Sequence, residues 1–139
     1  AAHESGQNLG VDNGDTNAIT IETVEAMAKH LGTTVVITGA TDAVSNGTTS
    51  YLLGNGCTML TYVTGTGCMT TSLLASFASV ASPLVAAVAG VTTMGLAGEL
   101  ALSRGGTGPG TFHQYLFDAV YGLSPRDVET NGKVLIYHE

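Results

Sequence analysis

The residues whose types and spacing best suit chemistry form one run, Val63-Thr64-Gly65-Thr66-Gly67-Cys68-Met69. A strand is expected over Met59 to Val63. Two glycines then space a tight turn, and a helix is expected from about Cys68 to Val80. The first amides of a helix have no intrahelical partner, and the aligned peptide dipoles leave partial positive charge there. Glycines let that backbone approach an anion with no Cβ in the way. Such a turn can cradle a phosphate, or the charge that develops on a phosphoryl group in flight. The same pattern also serves as a tight turn with no ligand, and the spacing alone leaves both readings open. Cys68 falls in the first helical turn, where its thiol could accept a proton or simply pack.

Little else in the chain has the spacing of a reactive site. Cys57, in Gly56-Cys57-Thr58, reads as structural. His3, His30, His113 and His138 are scattered without metal-ligand spacing, so no metal ligands are assigned. No Ser/His/Asp or Cys-x-x-Cys arrangement stands out. Lys29, Arg104, Arg126 and Lys133 are the only fixed cations, and none lies in the glycine-rich turn or the strands beside it. An anion held there must rely on backbone amides and a metal, or on cations from elsewhere. Glu99 is expected on a helix, reaching solvent or a subunit contact.

Composition narrows the classes. The chain has 139 residues, enough for one domain or part of one. Hydrophobic residues make up 44%, which excludes wholesale disorder. Four Lys+Arg face eleven Asp+Glu, for a net charge of −7. That argues against a nucleic-acid binder and against a protein of anionic membrane surfaces, since both need a basic face. Two Cys make no disulfide framework, so a reduced, cytoplasmic setting is expected. Ala1 to Gly6 lacks the basic start and apolar core of a signal peptide, and His3 to Asn17 reads as a polar loop. A chain that opens in mid-loop looks like a piece of something longer.

No Asp, Glu, Lys or Arg occurs between Asp42 and Glu99. A membrane reading is set aside, because Gly54-Asn55-Gly56, the Thr64–Gly67 turn and Ser82-Pro83 interrupt the run and Ser, Thr, Ala and Gly dilute it. Two core helices packed against a sheet are expected instead.

The remaining elements follow from periodicity and caps. Ile21, Val24, Ala28 and Leu31 mark a helix over Ala18 to Leu31. Thr33 to Thr38 is a β-branched strand ended by Gly39, and Asn46-Gly47 joins Asp42–Ser45 to Thr48–Leu53 as a hairpin. Ser82-Pro83 should cap a helix running to about Arg104. Gly108-Pro109-Gly110 opens another, with Phe112, Leu116 and Ala119 on one face. Ser124 to Asp127 starts a short helix, and Lys133 to Tyr137 is a terminal strand. Strands alternating with helices point to an α/β layered domain with a largely parallel sheet, an inserted hairpin and C-terminal helices.

Val36-Ile37-Thr38-Gly39-Ala40-Thr41-Asp42, Gly54-Asn55-Gly56, Val63-Thr64-Gly65-Thr66-Gly67-Cys68 and Gly108-Pro109-Gly110-Thr111-Phe112 together resemble the hydroxyethylthiazole kinase family, in that family's order and at similar spacing. The resemblance runs from about Leu9 to Val128 and matches only the second half of the family's usual length. It implies half of a ribokinase-like fold, residues 1–139 being the C-terminal part of one kinase domain. It further implies ATP-dependent, Mg²⁺-assisted phosphorylation of the primary hydroxyl of hydroxyethylthiazole, the thiazole precursor of thiamin. By the same resemblance, Thr38 with Gly39 would meet the nucleotide phosphates, and Gly65 would line the substrate side. Amides around Thr66 and Gly67 would form the anion hole, with Cys68 where a base approaches the hydroxyl. Cys57 stands where the family usually has His. Family members are typically homotrimers, and their first half supplies a pocket Met, an acidic residue near the metal and an Arg on the nucleotide. A chain providing that half is therefore an expected partner. The other readings are a related sugar or vitamin kinase, against which Cys68 in place of Asp argues, and a non-catalytic, oligomer-forming fragment.

Overall fold

The computed structural model describes residues 8–9, 12–13 and 21–137. Of the stretch expected as a loop, Asn8–Leu9 (β1) and Asp12–Asn13 (β2) pair antiparallel. The rest of that stretch lies outside the described residues, with His3, the opening of the first helix at Ala18, and His138.

Helix α1 covers Ile21–Leu31 and buries Ile21, Val24 and Ala28, as their three- and four-residue steps require. Strands β3 (Val35–Ile37), β4 (Asp42–Ser45), β5 (Ser50–Leu53) and β6 (Val134–Tyr137) form one sheet in that order. The expected hairpin is β4–β5. Its turn is held by the Asn46 side chain, whose Oδ1 accepts from the amides of Thr48 and Thr49 at 2.9 and 2.8 Å.

The sheet corrects one expectation: every pairing within it is antiparallel, not parallel. The reason is connection length. A parallel crossover needs a dozen or more residues. Only the 38–41 loop joins β3 to β4, and only the 46–49 turn joins β4 to β5. The long helical excursion after β5 returns as β6 beside it, running the other way. The α/β layering itself holds. Val36, Val44, Tyr51 and Leu53 face the helical side with Ala87 and Val91, and the alternating residues turn toward α1.

A second correction concerns Met59 to Val63, which forms a 3₁₀ helix over Thr58–Tyr62 instead of a strand. Met59, Leu60 and Val63 are drawn into a helical cluster with Met94, Ala97, Phe112 and Leu116. Packing there overrides the β-propensity of the run. Helices α2 (Thr66–Ala78), α3 (Pro83–Ser103), α4 (Pro109–Gly122) and α5 (Pro125–Asn131) follow. Ser82 occupies the N-cap of α3 without a side-chain cap bond, whereas Ser124 caps α5 by accepting from the Asp127 amide.

Helix α3 is long and apolar enough to cross a membrane by length and composition alone, and 67% of that apolar window is buried inside the molecule. It packs on α2, α4 and the sheet, and so joins both core clusters. Helix α2 is different: it contributes no buried residue. Of the two core helices expected, only α3 is one, because α2 is covered on its α3 side alone.

Candidate active site

The glycine-rich turn is open. Gly65 sits at the N-cap of α2 with φ +97°, a left-handed conformation that costs an L side chain about 1–2 kcal/mol. The chain can therefore reverse sharply from the 3₁₀ helix into α2. Helix α2 begins at Thr66, two residues earlier than the periodicity suggested. Thr64, Gly65, Gly67 and Cys68 are exposed. A Cβ at Gly65 or Gly67 would meet nothing within 4 Å. The Met69 amide is the first to bond back, to the Gly65 carbonyl at 2.9 Å. Among the described residues, the amides of Thr66, Gly67 and Cys68 find no protein acceptor.

The Thr66 hydroxyl is turned inward. It donates to the carbonyls of Leu60 (2.9 Å) and Val63 (3.3 Å), so Thr66 offers the turn its amide and not its side chain. Cys68 is a free, exposed thiol in the first turn of α2. Cys57 is a half-buried free thiol that packs at the edge of the helical cluster.

Thr38 and Gly39 are exposed in the loop between β3 and β4. The Gly39 amide donates to Asp42 Oδ1 at 2.9 Å, which shapes the loop and occupies that amide. Burial pushes the Asp42 carboxyl above its usual range, and the Gly39 bond only partly opposes this. The antiparallel register brings this loop, the end of β5 and the start of β6 to one end of the sheet. A cleft of about 590 Å³ opens there, lined by Thr41, Leu52, Gly54, Lys133 and Leu135. Neither that cleft nor a smaller apolar groove between Leu84, Val88 and Tyr51 is lined by any of the candidate residues.

No hydrogen bond among the described residues joins the Thr38 loop to the α2 turn. They are linked by the segment from Asn55 to Leu60, which crosses α3. Here the sequence reading missed a polar cluster. Glu99 lies on α3 with its side chain partly open to solvent, and its carboxylate also serves donors within the chain. Its Oε1 accepts from the Gly56 amide (3.0 Å), Lys133 Nζ (2.9 Å) and Asn55 Nδ2 (3.4 Å). Desolvation acts to raise its carboxyl, but those three donors prevail and hold it below the usual range. Asn55 is buried, accepts from the Lys133 amide at 2.6 Å and donates to the Asn131 carbonyl at 3.1 Å. A lone carboxylate closing a long uncharged run was the available signal, since such a group needs donors. Its three partners, 44, 43 and 34 residues away, were not readable from spacing.

The described residues contain no group of three or more His, Cys, Asp or Glu that could hold a metal ion. Asp42 and Glu99 both serve internal donors. The α2 turn therefore offers open amides and an exposed thiol, a cleft opens at the end of the sheet, and the described residues hold no cluster of cation ligands.

Known proteins resemble this chain in sequence and in fold. The model of the hydroxyethylthiazole kinase family matches residues 1–126. A hydroxyethylthiazole kinase of Methanoculleus marisnigri is 40% identical over 134 residues, which are 96% of this chain and 48% of that protein. One from Clostridium beijerinckii is 42% identical over 132 residues, covering 90% of this chain and 48% of the relative. The solved hydroxyethylthiazole kinase of Pyrococcus horikoshii superposes with a TM-score of 0.81 at 36% identity, over 84% of this chain and 46% of its own. The chain thus spans about half the length of the relatives it matches. Over that half, with the family's model, sequence and fold in agreement along most of its residues, the chain belongs to the hydroxyethylthiazole kinase family.

Proposed function

We propose that this chain is the phosphate-holding half of a kinase that transfers the γ-phosphoryl group of ATP to the primary hydroxyl of hydroxyethylthiazole, in the supply of thiamin. The observation that carries the reading is the open mouth of α2, where the amides of Thr66, Gly67 and Cys68 lack protein acceptors and no atom stands over Gly65 or Gly67.

Phosphoryl transfer asks a protein mainly for positioning and for donors aimed at developing charge. ATP, when bound, supplies the group transferred. In this chain, the amides of Thr66 to Cys68 face the charge on that group, reinforced by the α2 dipole. Thr38 reaches the nucleotide phosphates from the sheet end. Gly65, lacking a side chain, leaves room for the substrate alcohol. The Cys68 thiol stands beside the mouth to take the proton of the attacking hydroxyl.

Mg²⁺ does not fit the described residues, because neither Asp42 nor Glu99 is free and neither lies on α2. Its ligands, and the cations that would balance a triphosphate, belong to the other half of the family's length. That half comes from a further segment or a separate chain, and the working unit is a homo-oligomer in the cytoplasm.

Calorimetric titration of the chain with a non-hydrolysable ATP analogue tests the reading. Binding that is lost when Gly67 is changed to a bulky residue supports it. In the protein carrying both halves, Cys68→Asp should keep or raise turnover, because a carboxylate is ionised at neutral pH. A folded Asp variant with no activity would remove the base role. Half-length coverage of the relatives favours a second reading, a non-catalytic oligomer-forming fragment. That reading predicts no nucleotide binding under any pairing with the missing half. Phosphorylation of another alcohol but not of the thiazole would indicate a related vitamin or sugar kinase.

A further inference from the structure

We propose that Asn55 and Glu99 are positioning residues: they seat the segment 55–60 on α3 and so fix the α2 mouth relative to the nucleotide end of the sheet. The proposal rests on the reading of Gly65–Cys68 as a phosphate-holding turn and adds the device that aims it.

The seat begins with shape. Helix α3 presents Gly95, Gly98 and Glu99 toward the crossing segment, on the face that three- and four-residue steps bring together. A Cβ at Gly95 would lie 2.5 Å from the Asn55 carbonyl oxygen, and one at Gly98 would lie 2.9 Å from Leu60 Cδ1. The segment therefore lies directly on the helix backbone. Apolar contact of this kind excludes water but resists sliding poorly. Directional bonds supply the registry.

Those bonds run both ways from the crossing. Toward the sheet, the Gly54 amide donates to the Lys133 carbonyl at 2.9 Å, and Asn55 Oδ1 takes the Lys133 amide. Toward α2, Glu99 holds the Gly56 amide, Leu60 rests on Gly98, and the Leu60 carbonyl receives the Thr66 hydroxyl. Every step from the cleft at Gly54 to the first residue of α2 is thus a named contact. Lys133 ties the two directions together, because its backbone serves the sheet side and its ammonium serves Glu99. Asn55 makes a bond with both ends of its amide, so it holds one orientation.

Two measurements on the full chain test this: hydrogen exchange by mass spectrometry, and the affinity of the folded protein for AMP-PNP. Losing a hydrogen bond to a charged acceptor predicts that Glu99→Ala speeds exchange across 56–68 about tenfold, leaves the 42–53 hairpin unchanged, and weakens AMP-PNP about tenfold. Glu99→Gln keeps an oxygen for the Gly56 amide and should return both readings to within about threefold of wild type. Should Glu99→Ala fail to fold, Glu99→Asp, one methylene short of Gly56, replaces it with the same expectation. A purely stabilising role would lower the melting temperature and leave the affinity of the folded fraction alone, which overturns the proposal. Faster exchange spread evenly over the chain, or none in 56–68, overturns it too. A wild-type chain that binds no AMP-PNP counts against the phosphate-turn reading, and the exchange comparison then decides the seat by itself.

Discussion

Gly95→Ala measures how closely the 55–60 crossing lies on α3. The added methyl carbon would stand 2.5 Å from the Asn55 carbonyl oxygen, 2.7 Å from its carbon and 2.8 Å from Cβ. Two of these are backbone atoms, so no rotamer change relieves the contact. The segment must move by the better part of an ångström. Overpacking of this kind costs about 1–3 kcal/mol. Asn55 cannot move freely, since it bonds Asn131, Lys133 and Glu99, and stretching two of those bonds costs about 1 kcal/mol each. Alanine returns about 1 kcal/mol through helix propensity. The net expectation is a loss of about 2–4 kcal/mol, or a fall in Tm of about 5–12 °C for a chain of this size. Thermal unfolding followed by circular dichroism reads it. An unchanged or raised Tm would mean that helix propensity alone governs the site and that the crossing is loose, and the positioning argument would fail with it.

Two further outcomes are expected. Gly67→Ala lies in the first turn of α2 with open space around its Cβ, so it should gain up to about 1 kcal/mol of stability while weakening AMP-PNP binding by crowding the mouth. Isothermal titration beside thermal unfolding separates the two effects, and tighter binding would contradict an anion site there. Asp42 carries a raised carboxyl in the folded state, caused by burial, so the native form holds the proton more firmly than the unfolded chain, whose value is near 3.8. Stability is therefore lost as pH rises from there through the folded value. Asp42→Asn keeps an acceptor for the Gly39 amide without the charge and should raise Tm at pH 7 and flatten its pH dependence. Asp42→Ala loses that bond and should cost about 1 kcal/mol. Melting curves between pH 3 and pH 7 check the sign.

Much of the candidate site could be read from local pattern. Glycines spaced around Thr66 mark a turn, because Gly65 takes a positive φ and Gly67 adds no side chain to the first turn of the helix, and the α2 mouth follows from elementary helix geometry. The apolar steps of α1 and α4, the Asn46 turn and the Ser124 cap are equally local, each decided within a few residues. Strand direction was less secure. The short 38–41 and 46–49 links already excluded parallel crossovers, but the alternation of strands and helices spoke louder. Thr58–Tyr62 differs for another reason: its β-branched and aromatic residues suit a strand, but the 3₁₀ turn leaves Thr58, Thr61 and Tyr62 exposed and lays Met59 and Leu60 on the cluster of Met94, Phe112 and Leu116.

The sequence by itself determined the helices, the hairpin, the acidic charge balance and the glycine turn, because those depend on backbone sterics and on neighbours a turn away. Only the tertiary structure decided that Glu99 meets Gly56 and Lys133, that Asn55 joins three segments, and that α2 packs mainly on α3. Those facts depend on groups dozens of residues apart meeting in space, and no spacing rule carries that information.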